Sequence, residues 1–431
     1  MSRLHTFCWL LLILSGTDAA HAASAKWPGF RGPMGKAYSN SRELPVHWST
    51  NVNVVWKQRV LGEGWSSPVV SGDFVYLTSA GLHFGHHRAS LRVKCYSITD
   101  GTRLWFNDVI PLLGSPYHHR KNNYASPTPA VDEEHVYAHF GPLGTACVST
   151  NGKTLWRNTS LPYESRHGAG GSPILVDDNL IFNADGKTNP CVIALNKHNG
   201  EVSWRFDRPT EERKKYSFST PLLIRVAGER QLITAGSGMV NALNPETGKE
   251  IWRVRYPGGF SVVPQPVFAN GLVFVTSGDD SPPRLLAIRP NGTGDVTDTH
   301  IVWETSRGVP VISTPLAVRD QLYFVSDAGV LTCADIATGE VHYQERVVGS
   351  VSASPVFGDN KIYIQDEQGE CVVIKPGKVL NIVGRNFLNE RVLATYAIVD
   401  NSIYIRTERH LYCIRELGEA PPNLNGKAPL N

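Results

Sequence analysis

Seven of the 15 histidines, His83, His86, His87, His118, His119, His139 and His167, fall in loops and connections of one stretch of the chain. Two of these segments combine groups suited to recognition. Tyr117-His118-His119-Arg120-Lys121-Asn122-Asn123-Tyr124 mixes aromatic, basic and amide side chains, and Arg166-His167 precedes Gly168, Gly170 and Gly171, which leave room for a close backbone approach. His118, His119, Arg120, Asn122, Arg166 and His167 are therefore the candidate binding residues, for a ligand with anionic or hydrogen-bonding groups. No fixed metal-ligand spacing accompanies the imidazoles, so for any single one a solvated loop position is the simpler reading. Bases recur one per junction, at Arg59, Arg120, Arg166, Arg213, Arg255, Arg307, Arg346 and Arg391, some of them suited to an anion-attracting mouth. Acids follow at Asp185, Asp279, Asp327 and Asp366, which makes the field mixed. No Ser-His-Asp signature, phosphate loop or metallohydrolase motif is visible, and no catalytic residue is assigned.

The elements that position these loops repeat. In Ser219–Trp252, four apolar runs of about five residues are separated by Gly228, by Gly236 and Gly238, and by Asn244-Pro245-Glu246-Thr247-Gly248. Runs this short, rich in Val, Ile and Leu and bounded by turn residues, are strands. Related units start at Ser67-Pro68, Ser126-Pro127, Ser172-Pro173, Thr220-Pro221, Gln265-Pro266, Thr314-Pro315 and Ser354-Pro355, and an eighth starts near Leu393 and stops after three strands at Cys413. Trp56, Trp105, Trp156, Trp204, Trp252 and Trp303 close units at intervals of 48 to 51 residues, with Tyr343 as a weaker counterpart. A unit that cannot bury its own apolar surface stacks on its neighbours, and radial closure of four-stranded sheets gives a propeller. The lone strand at Trp56 supplies the missing fourth strand of the last sheet. The expectation is an all-β, eight-bladed propeller of four-stranded antiparallel blades, closed by pairing the N- and C-terminal strands.

The remaining segments divide the chain into an export signal (1–22), an irregular lead-in (23–52), the propeller (53–414) and a tail (415–431). Arg3 and His5 precede an apolar core from Phe7 to Leu14, and Ala20-His21-Ala22 offers a small-x-small cleavage site. The apolar run is shorter than the roughly 20 residues of a membrane span, and Cys8 lies inside it rather than at a cleavage point. The mature chain is thus expected to be soluble and exported to the periplasm or cell envelope, with no transmembrane segment. A net charge of +3 spread along the chain gives no basic stripe for nucleic acid.

The units SPVVSGDFVYLTS, MVNALNPETGKEIW and GVLTCADIATGEVHY resemble pyrroloquinoline-quinone (PQQ)-like repeats over roughly residues 53 to 414. Such repeats build eight-bladed quinoprotein dehydrogenases and BamB-type outer-membrane assembly factors. The resemblance implies that the closing Trp residues dock between blades against the next unit's turn, each hiding enough surface for at most about 4–6 kcal/mol. It also implies, for the dehydrogenases, a vicinal Cys-Cys disulfide, Glu/Asn/Asp ligands for Ca²⁺ and a catalytic Asp. This chain has no Cys-Cys pair and no Cys-x-x-Cys-His haem motif. The favoured reading is an exported, non-catalytic propeller that binds a protein or peptide of the envelope, or an anionic small ligand, without a cofactor. The alternative is an oxidoreductase dependent on PQQ and Ca²⁺ or another metal.

Six cysteines remain after signal removal. Cys95, Cys333 and Cys371 lie six residues before a turn Gly and Cys147 five before one, matching Ala194 and Ala242 in other units. Equivalent positions in neighbouring blades are separated by about the 10 Å sheet spacing, too far for a disulfide. They are expected to be buried free thiols.

Overall fold

The computed structural model describes residues 27–82, 89–161, 163–279 and 282–418. The expected export signal, His83, His86 and His87 lie outside the described residues. The described residues form eight sheets, each built on four antiparallel strands, and two of the sheets gain a fifth strand in parallel. Blade one is made of Val69–Ser71, Phe74–Leu82, Ala89–Ser97 and Arg103–Leu112, from the centre outward. The innermost strands of blades two to eight are Ala130–Val131, Ile174–Val176, Leu222–Val226, Val267–Ala269, Leu316–Val318, Val356–Gly358 and Ala397–Val399. Val54–Arg59 pairs antiparallel with His410–Arg415 and becomes the outer strand of blade eight, with Trp56 opposite Cys413. That pairing removes the two sheet edges an open ring would expose. Among the described residues no helix is long and apolar enough to cross a membrane.

The repeat's spacing has a mechanical cause. The indole N–H of each closing Trp donates into the next blade's turn: Trp56 to the Ile98 carbonyl at 3.0 Å, Trp105 to Thr150 at 2.9 Å, Trp156 to Lys197 at 2.8 Å, Trp204 to Pro245 at 3.1 Å and Trp303 to Ile336 at 3.0 Å. The turn Gly below each ring must be Gly: Gly101 has φ +72°, and a Cβ there would sit 2.5 Å from the Trp56 ring. Trp252 departs from the pattern. Its N–H donates to Gln231 of its own blade at 2.9 Å, and Gln231 passes the bond on to the Pro290 carbonyl at 3.0 Å. An inserted strand, Gly294–Asp295, pairs parallel with the outer strand there.

The six described cysteines are buried free thiols. Register corrects their alignment. Cys95, Cys147, Cys333 and Cys413 sit opposite Trp105, Trp156, Tyr343 and Trp56, whereas Cys371 pairs with Asn386, and Val373 holds the corresponding place in blade seven. A second correction concerns blade two, whose inner strand follows Thr128-Pro129, not Ser126-Pro127.

The lead-in is more ordered than its composition suggests. Trp27 exchanges two backbone hydrogen bonds with Val70 of blade one, the Pro28 carbonyl accepts from Val131 of blade two, and the Ala37 carbonyl accepts from Phe357 of blade seven. Tyr38–Ser39 then pairs parallel with Phe357 and Gly358. Arg31, 1% exposed, reaches carbonyls of Gly35, Thr314 and Pro315 at 3.2, 3.3 and 2.9 Å. With no carboxylate among these partners, burial lowers its pKa to about 9. One continuous segment thus crosses the channel.

Candidate functional site

At the opposite end, the connections between blades surround the channel mouth. A Ser or Thr stands just before the Pro that leads into most inner strands, and its hydroxyl accepts a backbone N–H from the preceding blade. Ser67 donates to Thr128 at 2.9 Å, Thr128 to Ser172 and Ser172 to Thr220 at 3.0 Å, Gln265 to Thr314 at 3.0 Å, Thr314 to Ser354 at 3.1 Å and Ser354 to Thr395 at 3.0 Å. These hydroxyls satisfy buried backbone donors that the inner strands alone leave open. Gln265 replaces the hydroxyl in blade five and donates its amide to the Pro221 carbonyl at 3.1 Å. The recurring Ser/Thr-Pro in the sequence signals this belt, although spacing alone does not show that the hydroxyls join blades.

Above the belt lies a cavity of about 320 Å³, with Phe30 from the lead-in lining it and Trp65, Phe218 and Phe260 among its apolar residues. Of the six candidate binding residues, His119, Asn122 and His167 line this cavity. They come from two connections that lock together: the His119 N–H and the Asn122 amide donate to the His167 carbonyl at 3.1 and 2.8 Å. The His119 and His167 rings meet edge to face at 5.6 Å, and His167 also contacts Phe218 and Phe260. Burial lowers the His167 pKa, as do His119 and Arg166, while Asp279 opposes them. The His167 Nδ1 has no hydrogen-bond partner among the described residues.

The other three candidates do not converge on the cavity. His118 packs edge-on against Tyr124 at 4.8 Å, and Arg120 and Arg166 are exposed outside the cavity lining. None of the eight junction arginines lines the cavity. Arg255 pairs with Asp295 at 3.0 Å, Arg307 donates to Gln344 at 2.9 Å and Arg391 covers the Trp65 ring. The cation at the mouth is Lys121, which pairs with Glu367 at 2.7 Å. Of the acids singled out above, Asp279 lines the mouth, Asp185 is buried against Arg208 at 2.9 Å and Asp327 accepts backbone N–H groups of Val311 and Ile312. Burial raises the pKa of both Asp185 and Asp327, opposed by these partners.

His139 is structural. It is 2% exposed, stacks on Phe182 at 4.0 Å and bonds Thr145 and Tyr163, and burial lowers its pKa to about 3.

The mouth offers, among the described residues, His119 and His167, Asp279, Lys121 with its partner Glu367, several hydroxyls and aromatic walls. Among the described residues no group of three or more His, Cys, Asp or Glu is placed to hold a metal ion. This donor set does not fit a Ca²⁺-held quinone. It does fit recognition of a ligand by a few polar contacts on an apolar floor.

A family model described as outer membrane protein assembly factor BamB matches residues 36–166, 89–253, 192–297 and 292–416. BamB of Shewanella oneidensis is 25% identical over 258 residues, 58% of this chain, and the match spans 60% of that protein's length. BamB of Moranella endobia is 21% identical over 331 residues, 65% of this chain and 80% of the relative. Among solved structures, BamB from Moraxella catarrhalis superposes with a TM-score of 0.59 at 13% identity, covering 84% of this chain and 99% of that one. Quinohemoprotein alcohol dehydrogenase from Comamonas testosteroni gives 0.55 at 13% identity, covering 94% and 82%. At such identities these structures share the fold alone.

Proposed function

Since the chain belongs to the PQQ-like repeat family described as outer membrane protein assembly factor BamB, we propose that it is an exported, non-catalytic propeller that binds a protein partner in assembly of the outer membrane. The observation that carries this reading is the chemistry of the mouth. His119, Asn122 and His167 form a preorganised, hydrogen-bonded rim over aromatic side chains. Loops held by a rigid scaffold suit such recognition. Arg120 and Arg166 stand exposed outside the cavity and widen the basic surface a partner meets. The soluble, envelope location follows from the expected export signal at residues 1–22.

Capture from an envelope extract tests the reading, with the mature chain and its His119→Ala, His167→Ala double variant as baits. Outer-membrane assembly components should be enriched by the intact chain and depleted with the variant. Equal capture by both baits removes the mouth from the reading. The alternative, a quinone-dependent dehydrogenase, predicts stoichiometric uptake of PQQ with Ca²⁺ and alcohol oxidation by the purified chain. That result would replace the scaffold reading.

A further inference from the structure

The channel end crossed by the lead-in carries a second feature. The second residue of the inner strand stands at the same phase of the alternating pairs with the next strand: Val70 opposite Val75, Val131 opposite Val136, Leu175 opposite Leu180 and Phe357 opposite Ile362, and, two pairs further from its turn, Leu223 opposite Leu232. The N–H groups of Val70, Val131 and Phe357 donate to lead-in carbonyls at 2.8 to 3.0 Å. By the repeat's own symmetry, the N–H groups of Leu175 and Leu223 point into the channel as well. Among the described residues no strand pairs with the inner edges of blades three and four, since both edges end their sheets. No lead-in carbonyl among the described residues accepts from Leu175 or Leu223, although Pro33–Gly35 lies beside Leu222–Val226 on the way from blade two to the start of blade six, which Arg31 reaches.

The bypassed edges line a groove of about 520 Å³. One wall is Ile174, Leu175 and Leu223, all partly accessible, and the other is Phe30 and Met34 of the lead-in, with Met34 68% exposed. Arg225 stands at the rim, exposed, and bonds only the Gly228 carbonyl among the contacts of the described residues. The rim also carries Asp132, Asp177, Lys197 and Arg230, paired among themselves: Lys197 with Asp132, and Arg230 with Asp177.

We propose that the free inner edges of blades three and four take up an extended segment of a partner polypeptide, one with apolar residues at alternate positions. The edges that hold the molecule's own lead-in show the mode of binding, and this groove continues that interface. Backbone carbonyls of the segment accept from Leu175 and Leu223, and every second side chain enters between the inner strands and Phe30. The site lies across the lead-in from the mouth and stands independently of the function assigned there.

The probe is a fluorescein-labelled peptide of alternating Thr with Phe or Val, blocked at both ends. Anisotropy should report binding to the mature chain, and amide exchange at Leu175 and Leu223 should slow while that of Ile398 in blade eight does not change. Leu223→Pro removes the donor at an edge position, where proline is tolerated, and should weaken binding about tenfold or more. Should that variant fail to fold, Leu223→Asp and the exchange measurement on the unaltered chain serve instead. The His119→Ala, His167→Ala chain should bind the peptide undiminished. No binding at millimolar peptide, no slowing at Leu175 and Leu223, or full binding by a folded Leu223→Pro chain overturns the proposal, as does loss of binding in the histidine variant.

Discussion

At the mouth of the channel, connections from around the ring each contribute two to five residues, whereas the far end is crossed by a single continuous stretch from Trp27 to Ser39. The mouth is held from beneath by short hydroxyl bonds between neighbouring blades, so its loops can change without loosening the ring. The far end depends on one segment that touches blades one, two, six and seven and buries Trp27 and Arg31. Stability is therefore concentrated at the crossed end, while the function proposed for the mouth rests on loops. This division agrees with the general tendency of function to reside on loops carried by a rigid scaffold.

The largest expected effect lies at the crossed end. Trp27→Ala removes a side chain that is 1% exposed and should cost roughly 3–5 kcal/mol, read as a shift of the urea midpoint. A shift no larger than that of a surface substitution would break the comparison.

The next effect depends on pH and belongs to the supports behind the mouth. His139, with its pKa lowered by burial from an ordinary 6.5 to about 3, stays neutral in the fold while the unfolded chain takes up a proton. Its contribution is therefore complete above pH 6.5 and is lost as pH falls toward 3, by up to roughly 1.4 kcal/mol per pH unit. Urea midpoints measured from pH 7 to 4 should fall less steeply for His139→Gln than for the unaltered chain.

A smaller cost is expected for Gly32→Ala. Gly32 has φ +69°, and a Cβ would lie 2.5 Å from the Trp27 ring. The loss should be roughly 1–3 kcal/mol, and thermal melting of the two chains side by side measures it.

The smallest effect on stability is expected at the mouth. His119→Ala with His167→Ala should change the free energy of unfolding by within about 1 kcal/mol, while partner capture falls. If this variant instead destabilises as much as Trp27→Ala, the two ends are not divided as described.

Much of this was legible in the amino-acid sequence. The interval between closing tryptophans, the turn glycines beneath them and the leftover strand at Trp56 lead to eight blades and to the closure with His410–Arg415. Each of these features is local to one unit or to two adjacent ones, and repetition states it many times over. The site was half legible. His119, Asn122 and His167 reach the cavity, while His118, Arg120 and Arg166, drawn from the same segments, turn elsewhere. Composition marks a segment as suited to binding, but the direction of each side chain depends on the loop it packs against.

What the sequence determined by itself, then, is what the repeat encodes: strand order, blade count, the Trp and Gly contacts, and thiols placed where no disulfide forms. Tertiary structure alone decided what converges on the axis. Lys121 meets Glu367 from blade seven, Arg31 meets carbonyls 283 and 284 residues away, and the lead-in passes over blades three and four. The physical reason is that such contacts arise only once the ring closes, when residues far apart in the chain share one small volume and no periodicity records which of them will meet.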